Sequence, residues 1–268
     1  MPPRTQSFPT TFPVLGLPMA VTNYADAAQR ALDAARTLSA PVAVAAANTH
    51  LTTLARHDPA FGQAMTKFEM ICPDGMPLVW VMNRGLPPEQ ALSDRVYGPT
   101  LMLETLKASA GAGDIRHFLL GGKQSTLETL QASLPQRFPG LNLCGAYSPP
   151  FGPWDEAEYQ RIDAAIRASG ANVVWVGLGC PKQEFWIAEN KHRLPSAVYF
   201  AVGAAFAFHA GEVSQAPKWI QDRGFEWLYR LCAEPRRLFK RYFTYNSLFL
   251  YYLLRDSIRP VGALPKSS

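Results

Sequence analysis

The chain is poor in the residues that tie small domains or metal ions together. Its four cysteines, Cys72, Cys144, Cys180 and Cys232, stand far apart and form no C-x-x-C pair. That spacing argues for reduced thiols and gives no support to a zinc site. The five histidines show no H-E-x-x-H and no metal-ligand spacing. A D-x-D pair, a common clasp for a divalent ion on a diphosphate, is missing too. The expectation is therefore no metal and no cofactor, with cationic side chains meeting any phosphate charge. No run of 18 apolar residues exists, so nothing is expected to cross a membrane. The N-terminus carries Arg4 as its one early basic residue, and Pro2, Pro3, Pro9 and Pro13 break any apolar stretch, so no signal peptide is expected. A cytoplasmic location is the reading that follows.

What is present is a globular composition: 268 residues, 48% apolar and 18% charged. That length suits one large α/β domain, or a domain with an appendage. The formal charge is +5, and its distribution is uneven. From Ile220 to Ser268 there are nine Lys or Arg against four Asp or Glu, whereas residues 1–219 hold 17 of each sign. The same last segment carries ten of the 31 aromatics. This is a localised basic-aromatic surface, and without an RNA- or DNA-binding motif it speaks against a nucleic-acid partner. The expected division is a disordered segment 1–12, a main Rossmann-like domain 13–219 and a basic-aromatic, membrane-associating helical appendage 220–268.

Apolar runs alternate with helical patterns over most of the chain, which predicts a Rossmann-like, doubly wound, mostly parallel sheet. The expected strands are 14–17, 42–45, 117–120, 141–144, 173–176 and 197–202. The expected helices are 24–38, 50–56, 99–110, 123–138, 154–169 and 183–191. Beyond Pro217 the pattern is helical throughout, near 223–233 and 236–256, divided at Glu234-Pro235 because proline cannot continue a helix.

Two glycine-rich turns follow expected strands. In HFLLGGKQST, Gly121 and Gly122 lead into Lys123 at a helix N-terminus. In VVWVGLGCPKQEFW, Gly177 and Gly179 precede Lys182, Gln183 and Glu184, and Lys182 stands where a dinucleotide fingerprint would place its third glycine. Each is consistent with an ordinary βα turn. Together, on one sheet, they outline a crevice of the kind that takes a nucleotide or sugar-nucleotide. Asp74 lies in the turn Pro73-Asp74-Gly75 between apolar runs. Turn chemistry explains it alone, but a carboxylate among apolar neighbours also suits a general base. Asn48 ends the strand near Val42–Ala45. In the appendage, Arg230, Arg236, Arg237, Lys240 and Arg241 cluster at helical spacings that suit a diphosphate. Leu238, Tyr242, Tyr245, Phe249 and Tyr252 make one apolar stripe, with Phe239, Phe243, Leu250 and Leu253 beside it. The stripes either pack on the domain or, with the basic residues, lie in an anionic membrane interface through Phe243, Phe249, Tyr251 and Tyr252.

The segments NTHLTTLARHDPAF, PDGMPLVW, DRVYGPTLM, FLLGG, VGLGCPKQEFWI and GFEWLYRLCAEPRRLFKRY occur in the order found in the bacterial WecG/TagA/CpsF glycosyltransferases, glycosyltransferase family 26, which the chain resembles from about Phe12 to Tyr242. The resemblance implies an inverting, metal-independent hexosyltransferase that moves sugar from a UDP-sugar donor to an undecaprenyl-diphosphate-linked sugar acceptor. The setting is the cytoplasmic membrane surface, in synthesis of exopolysaccharide, teichoic acid or common antigen. It makes Asp74 the base and puts Gln183 near a sugar, with Asn48 beside them. Thr49, Arg95, Gly98, Lys182, Glu184 and the glycines Gly121, Gly122, Gly177 and Gly179 are expected at the substrates, with loop-bracing structural roles equally open for Lys182 and Glu184. Arg230, Arg237, Lys240 and Arg241 are placed at phosphate. Where many members have threonine two residues before the asparagine, this chain has Ala46, which leaves the donor open among N-acetylmannosamine, its uronic acid and glucose. A non-catalytic UDP-sugar-binding module recruited to the membrane is the rival reading. A homo-oligomer in which the appendage docks on a neighbouring subunit is also compatible.

Overall fold

A computed structural model describes residues 8–37, 39–217, 219–220, 224, 226–233 and 235–258. Eight strands make a mostly parallel sheet, and with eleven helices among the described residues the class is α/β, Rossmann-like, as the alternation predicted. The chain folds as two compact units. One contains Tyr24–Ala45 and Gly98–Val213; the other contains Pro9–Asn23, Ala46–Tyr97 and the chain from Ser214 onward.

In the first unit the strands are β3 (Val42–Ala47, whose last two residues belong to the second unit), β5 (His117–Gly121), β6 (Leu143–Tyr147), β7 (Val173–Gly177) and β8 (Val198–Ala201). They lie side by side in the order β3-β8-β7-β5-β6, all parallel. Parallel strands covered on both faces read as continuous apolar runs. Val173, Val174, Trp175 and Val176 are accordingly all fully buried. The helices here are α1 (Tyr24–Thr37), α5 (Gly98–Ser109), α6 (Gln124–Arg137), α7 (Glu156–Ser169), α8 (Lys182–Asn190) and α9 (Ala205–His209). Helix α7 begins with Asp155 accepting from the Glu158 N–H and ends at Gly170 in the left-handed conformation, a regular start and stop.

The second unit holds β1 (Thr11–Val14), β2 (Leu17–Ala20) and β4 (Met70–Pro73). The expected strand 14–17 is a hairpin turn instead. Val14 pairs with Leu17, and Leu15 and Gly16 occupy the turn with φ of 50° and 90°. Two positive-φ residues match a two-residue hairpin loop, whose twist suits the flanking strands. Strand β1 thus begins inside the terminal segment expected to be disordered, while residues 1–7 lie outside the described residues. Strand β4 was missed because its four buried residues, Met70–Pro73, include one β-branched residue and a proline.

The helices of this unit are α2 (Thr49–His57), α3 (Pro59–Met65), α4 (Met76–Asn83), α10 (Glu226–Ala233) and α11 (Pro235–Ile258). Helices α10 and α11 match the expected pair, and Pro235 opens α11 where its missing N–H costs nothing. Helix α11 docks on α2. Tyr245 stacks edge-on against His50 with ring centroids 4.4 Å apart, and its carbonyl accepts from Thr53 Oγ1 at 3.3 Å. The Tyr252 hydroxyl meets His57 Nδ1 at 2.9 Å, and Asp256 lies 3.6 Å from Arg56. Phe249 is 3% exposed. The stripe Tyr245, Phe249 and Tyr252 is therefore a docking face, which corrects the placement of Phe249 and Tyr252 in a membrane interface. Phe239, Phe243, Leu250, Tyr251 and Leu254 remain exposed. No helix among the described residues is long and apolar enough to cross a membrane.

Candidate functional site

In the second unit, three chain segments meet around Asp74. The Asp74 N–H donates to the Ala47 carbonyl at 2.8 Å, and the Val96 N–H donates to the Pro73 carbonyl at 2.8 Å. Strand β4 ends at Pro73 and the chain turns through Gly75 into α4, so Asp74, half-buried, occupies the carboxyl end of a strand next to a helix start. Such edges are where α/β sheets bind ligands. Ala47 leads directly to Asn48 and Thr49. Asn48 caps α2, its Oδ1 accepting from the Leu51 N–H at 3.1 Å, so part of its polarity serves the helix. Arg95 is 9% exposed, with its guanidinium 4.4 Å over the Tyr97 ring. That stacking holds a long cationic side chain in one orientation while Val96 anchors its backbone to β4.

The appendage reaches this same neighbourhood. Gly224 lies against the first turn of α4: a Cβ there would stand 3.2 Å from the Met76 Cβ and 3.7 Å from the Trp80 ring. On α11, Asn246 Oδ1 accepts from Thr49 Oγ1 at 3.1 Å. Asn246 was not among the sequence-derived candidates. Its only signal was an amide sitting within an aromatic stripe. Lys240 and Arg236 are exposed on the first turns of α11. The side chains of Arg230, Arg237 and Arg241 lie outside the described residues.

In the first unit the two glycine turns lie at the carboxyl ends of adjacent strands β5 and β7, paired from His117 with Val173 to Gly121 with Gly177. The glycines differ in purpose. A Cβ on Gly121, whose φ is +102°, would fall 2.8 Å from the Gly177 carbonyl carbon, and one on Gly177 would fall 2.7 Å from the Phe206 ring. These two are required by packing. Gly122 abuts Phe206 and Thr126 more loosely, while Gly179, at φ +80°, has nothing within 4 Å of a Cβ position, leaving open space at its backbone. Gly98, buried, starts α5.

Gln183 is 3% exposed, and its Oε1 and one Nε2 proton are engaged. Its Oε1 accepts from the backbone N–H of Gly179 at 3.1 Å and of Gly203 at 3.0 Å, and its Nε2 donates to Glu184 Oε1 at 2.8 Å. The amide thereby stitches the loop after β7 to the loop after β8. Lys182 lies 3.9 Å over the Trp154 ring and donates to the Gly152 carbonyl at 3.2 Å; burial lowers the pKa of its ammonium. Trp154, Tyr159, Lys182, Phe185, Trp186 and Glu189 line a cleft of about 420 Å³. Sequence reasoning missed this cleft because the loop at 152–154 and the start of α7 meet α8 only once the intervening strand β7 has joined the sheet.

The two groupings hold a half-buried carboxylate, a stacked arginine and a helix start in one unit, and an open glycine backbone with an aromatic-lined cleft in the other. These are parts suited to handling a sugar and a phosphate. A comparison with protein families agrees: the model of the glycosyl transferase WecG/TagA/CpsF family matches residues 12–262. With a match over nearly the whole length, the chain belongs to the WecG/TagA/CpsF family of glycosyl transferases.

Proposed function

We propose that this glycosyl transferase moves a hexose or N-acetylhexosamine from a UDP-sugar to an undecaprenyl-diphosphate-linked sugar, with inversion and without a metal ion, in the synthesis of a cell-surface polysaccharide. The observation that carries the proposal is the placement of Asp74. It is held at the end of β4 by its own N–H on Ala47 and by Val96 on Pro73, beside Asn48, Thr49 and Arg95.

In the reaction, an Asp74 carboxylate oxygen takes the proton from the acceptor sugar's hydroxyl as that oxygen attacks the anomeric carbon of the donor. The new glycosidic bond forms as the bond from the anomeric carbon to the UDP oxygen breaks, and UDP leaves with that electron pair. The cationic side chains Arg95, Arg230, Arg237, Lys240 and Arg241 receive the charge that a metal ion would otherwise neutralise. Gln183 contributes through its Oε1, which fixes the loops at Gly179 and Gly203. The exposed stripe Phe239, Phe243, Leu250 and Leu254, with Arg236 and Lys240 at its start, holds the enzyme on the inner face of the cytoplasmic membrane where the lipid-linked acceptor resides.

The test is Asp74→Asn, which keeps size and backbone contacts but cannot take a proton. UDP affinity should stay within a few-fold, and transfer to a short-chain lipid-diphosphate sugar should fall at least ~100-fold, the usual scale for a lost general base. A fully active variant rejects the assignment. A wild-type protein that binds UDP yet transfers no sugar to any such acceptor is a binding module instead.

A further inference from the structure

We infer that Asn246 is a binding residue for the polar head of the lipid-linked acceptor, contributed by the appendage; this rests on the proposed transfer reaction. Three observations carry it. The first is adjacency. Asp74 is hydrogen-bonded to Ala47, and Thr49, two residues on, is hydrogen-bonded to Asn246. Consecutive Cα atoms are about 3.8 Å apart, so Thr49 lies at most about 7.6 Å from Ala47 along that path. Asn246 thus stands one hydrogen bond beyond the segment that holds the proposed base.

The second is the state of the amide. Thr49 Oγ1 donates to Oδ1 and so sets which end of the carboxamide faces α2. The Nδ2 group, with two protons to donate, has no acceptor among the described residues, and the side chain is half-buried. The amide is therefore oriented, with its donors left over. A neutral donor pair suits the oxygens of a sugar or of a sugar-linked phosphate.

The third is position on the helix. At about 100° per residue, Asn246 falls between the docked face of α11 (Tyr245, Phe249 and Tyr252) and the exposed apolar stripe (Phe239, Phe243, Leu250 and Leu254). A molecule whose tail lies along that stripe and whose head approaches Thr49 passes Asn246. A lipid-linked sugar has that form, whereas a free sugar-nucleotide has no reason to touch the stripe.

The experiment is direct binding of a short-chain lipid-diphosphate sugar to the full-length protein by calorimetry, alongside UDP binding and transfer rates. Asn246→Asp keeps an acceptor for Thr49 but removes both donors. It should weaken acceptor binding at least ~10-fold, the scale of one lost hydrogen bond to an oxygen-rich ligand, with UDP affinity and thermal midpoint unchanged. Thr49→Val should weaken acceptor binding less, and combined with Asn246→Ala its effect should be smaller than the product of the two, because both act through the one oriented amide. Acceptor affinity within two-fold of wild type for Asn246→Asp overturns the inference, as does an equal loss of acceptor and UDP binding. Binding is measured without turnover, so a wild type that binds acceptor but transfers nothing rejects the transfer reaction while still testing Asn246.

Discussion

Gln183 accepts, through Oε1, a hydrogen bond from the backbone N–H of Gly203 at 3.0 Å, joining the first turn of α8 to the loop after β8, twenty positions along the chain. The same oxygen takes the Gly179 N–H, so one side-chain amide holds two loops in register at the carboxyl edge of β7 and β8. Replacing Gln183 by Leu leaves two backbone donors without their acceptor, each worth about 1–3 kcal/mol when buried. Urea unfolding should show a loss of about 2–4 kcal/mol, with UDP affinity falling in step. Unchanged stability would show that the loops hold themselves.

The two faces of α11 should separate on mutation. Phe249→Ala removes a buried ring from the contact with α2 and should cost about 3 kcal/mol, near the lower end for a large core truncation. Replacing Phe239, Phe243 and Leu250 together by Ser should change stability by less than about 1 kcal/mol, as exposed positions do, while abolishing co-sedimentation with anionic vesicles. If the triple variant stays on vesicles, the exposed stripe is not the membrane contact.

His117 supplies a pH prediction. It is fully buried, Trp175 Nε1 donates to its Nδ1 at 3.2 Å, and Nε2 lies 2.8 Å from Ser109 Oγ. Ser109 in turn donates to the Thr105 carbonyl at 2.9 Å. The proton therefore belongs on Nε2, and burial pushes the pKa down from 6.5 to about 3. A base whose folded pKa lies below its unfolded one contributes its full stability above pH 6.5 and loses it as pH falls from 6.5 toward 3, at up to about 1.4 kcal/mol per unit. Nitrogen chemical shifts should show one imidazole in the Nε2–H form that does not titrate between pH 8 and 5. A titrating signal assigned to His117 would contradict the network.

The polar bonds between α2 and α11 should contribute to appendage docking. Tyr252→Phe removes the hydroxyl that meets His57 Nδ1 at 2.9 Å but keeps the ring. A cost of about 0.5–1.5 kcal/mol follows, and limited proteolysis should cut α11 faster than in the wild type. Equal cutting rates would assign the docking to Tyr245 and Phe249 alone.

The amino-acid sequence by itself determined the α/β class, the principal strands and helices, and the family. Those rest on composition, local period and ordered motifs: a β-branched run such as Val173–Val176 reads as a buried strand, and Pro235 cannot continue the helix before it. Strand β4 and the Leu15-Gly16 hairpin turn were missed because Met70–Pro73 holds one β-branched residue and ends in proline, and a two-residue loop carries no period. Only tertiary structure decided which apolar stripe of α11 docks and which stays exposed, since both have the same spacing and differ only in what lies opposite. Tertiary structure likewise separated Gly121 and Gly177, which pack against backbone and ring, from Gly179, which faces open space. It also joined Thr49 to Asn246 across 197 positions of chain. No local pattern encodes a contact at that distance, because the hydrogen bond exists only once α2 and α11 have buried their shared face.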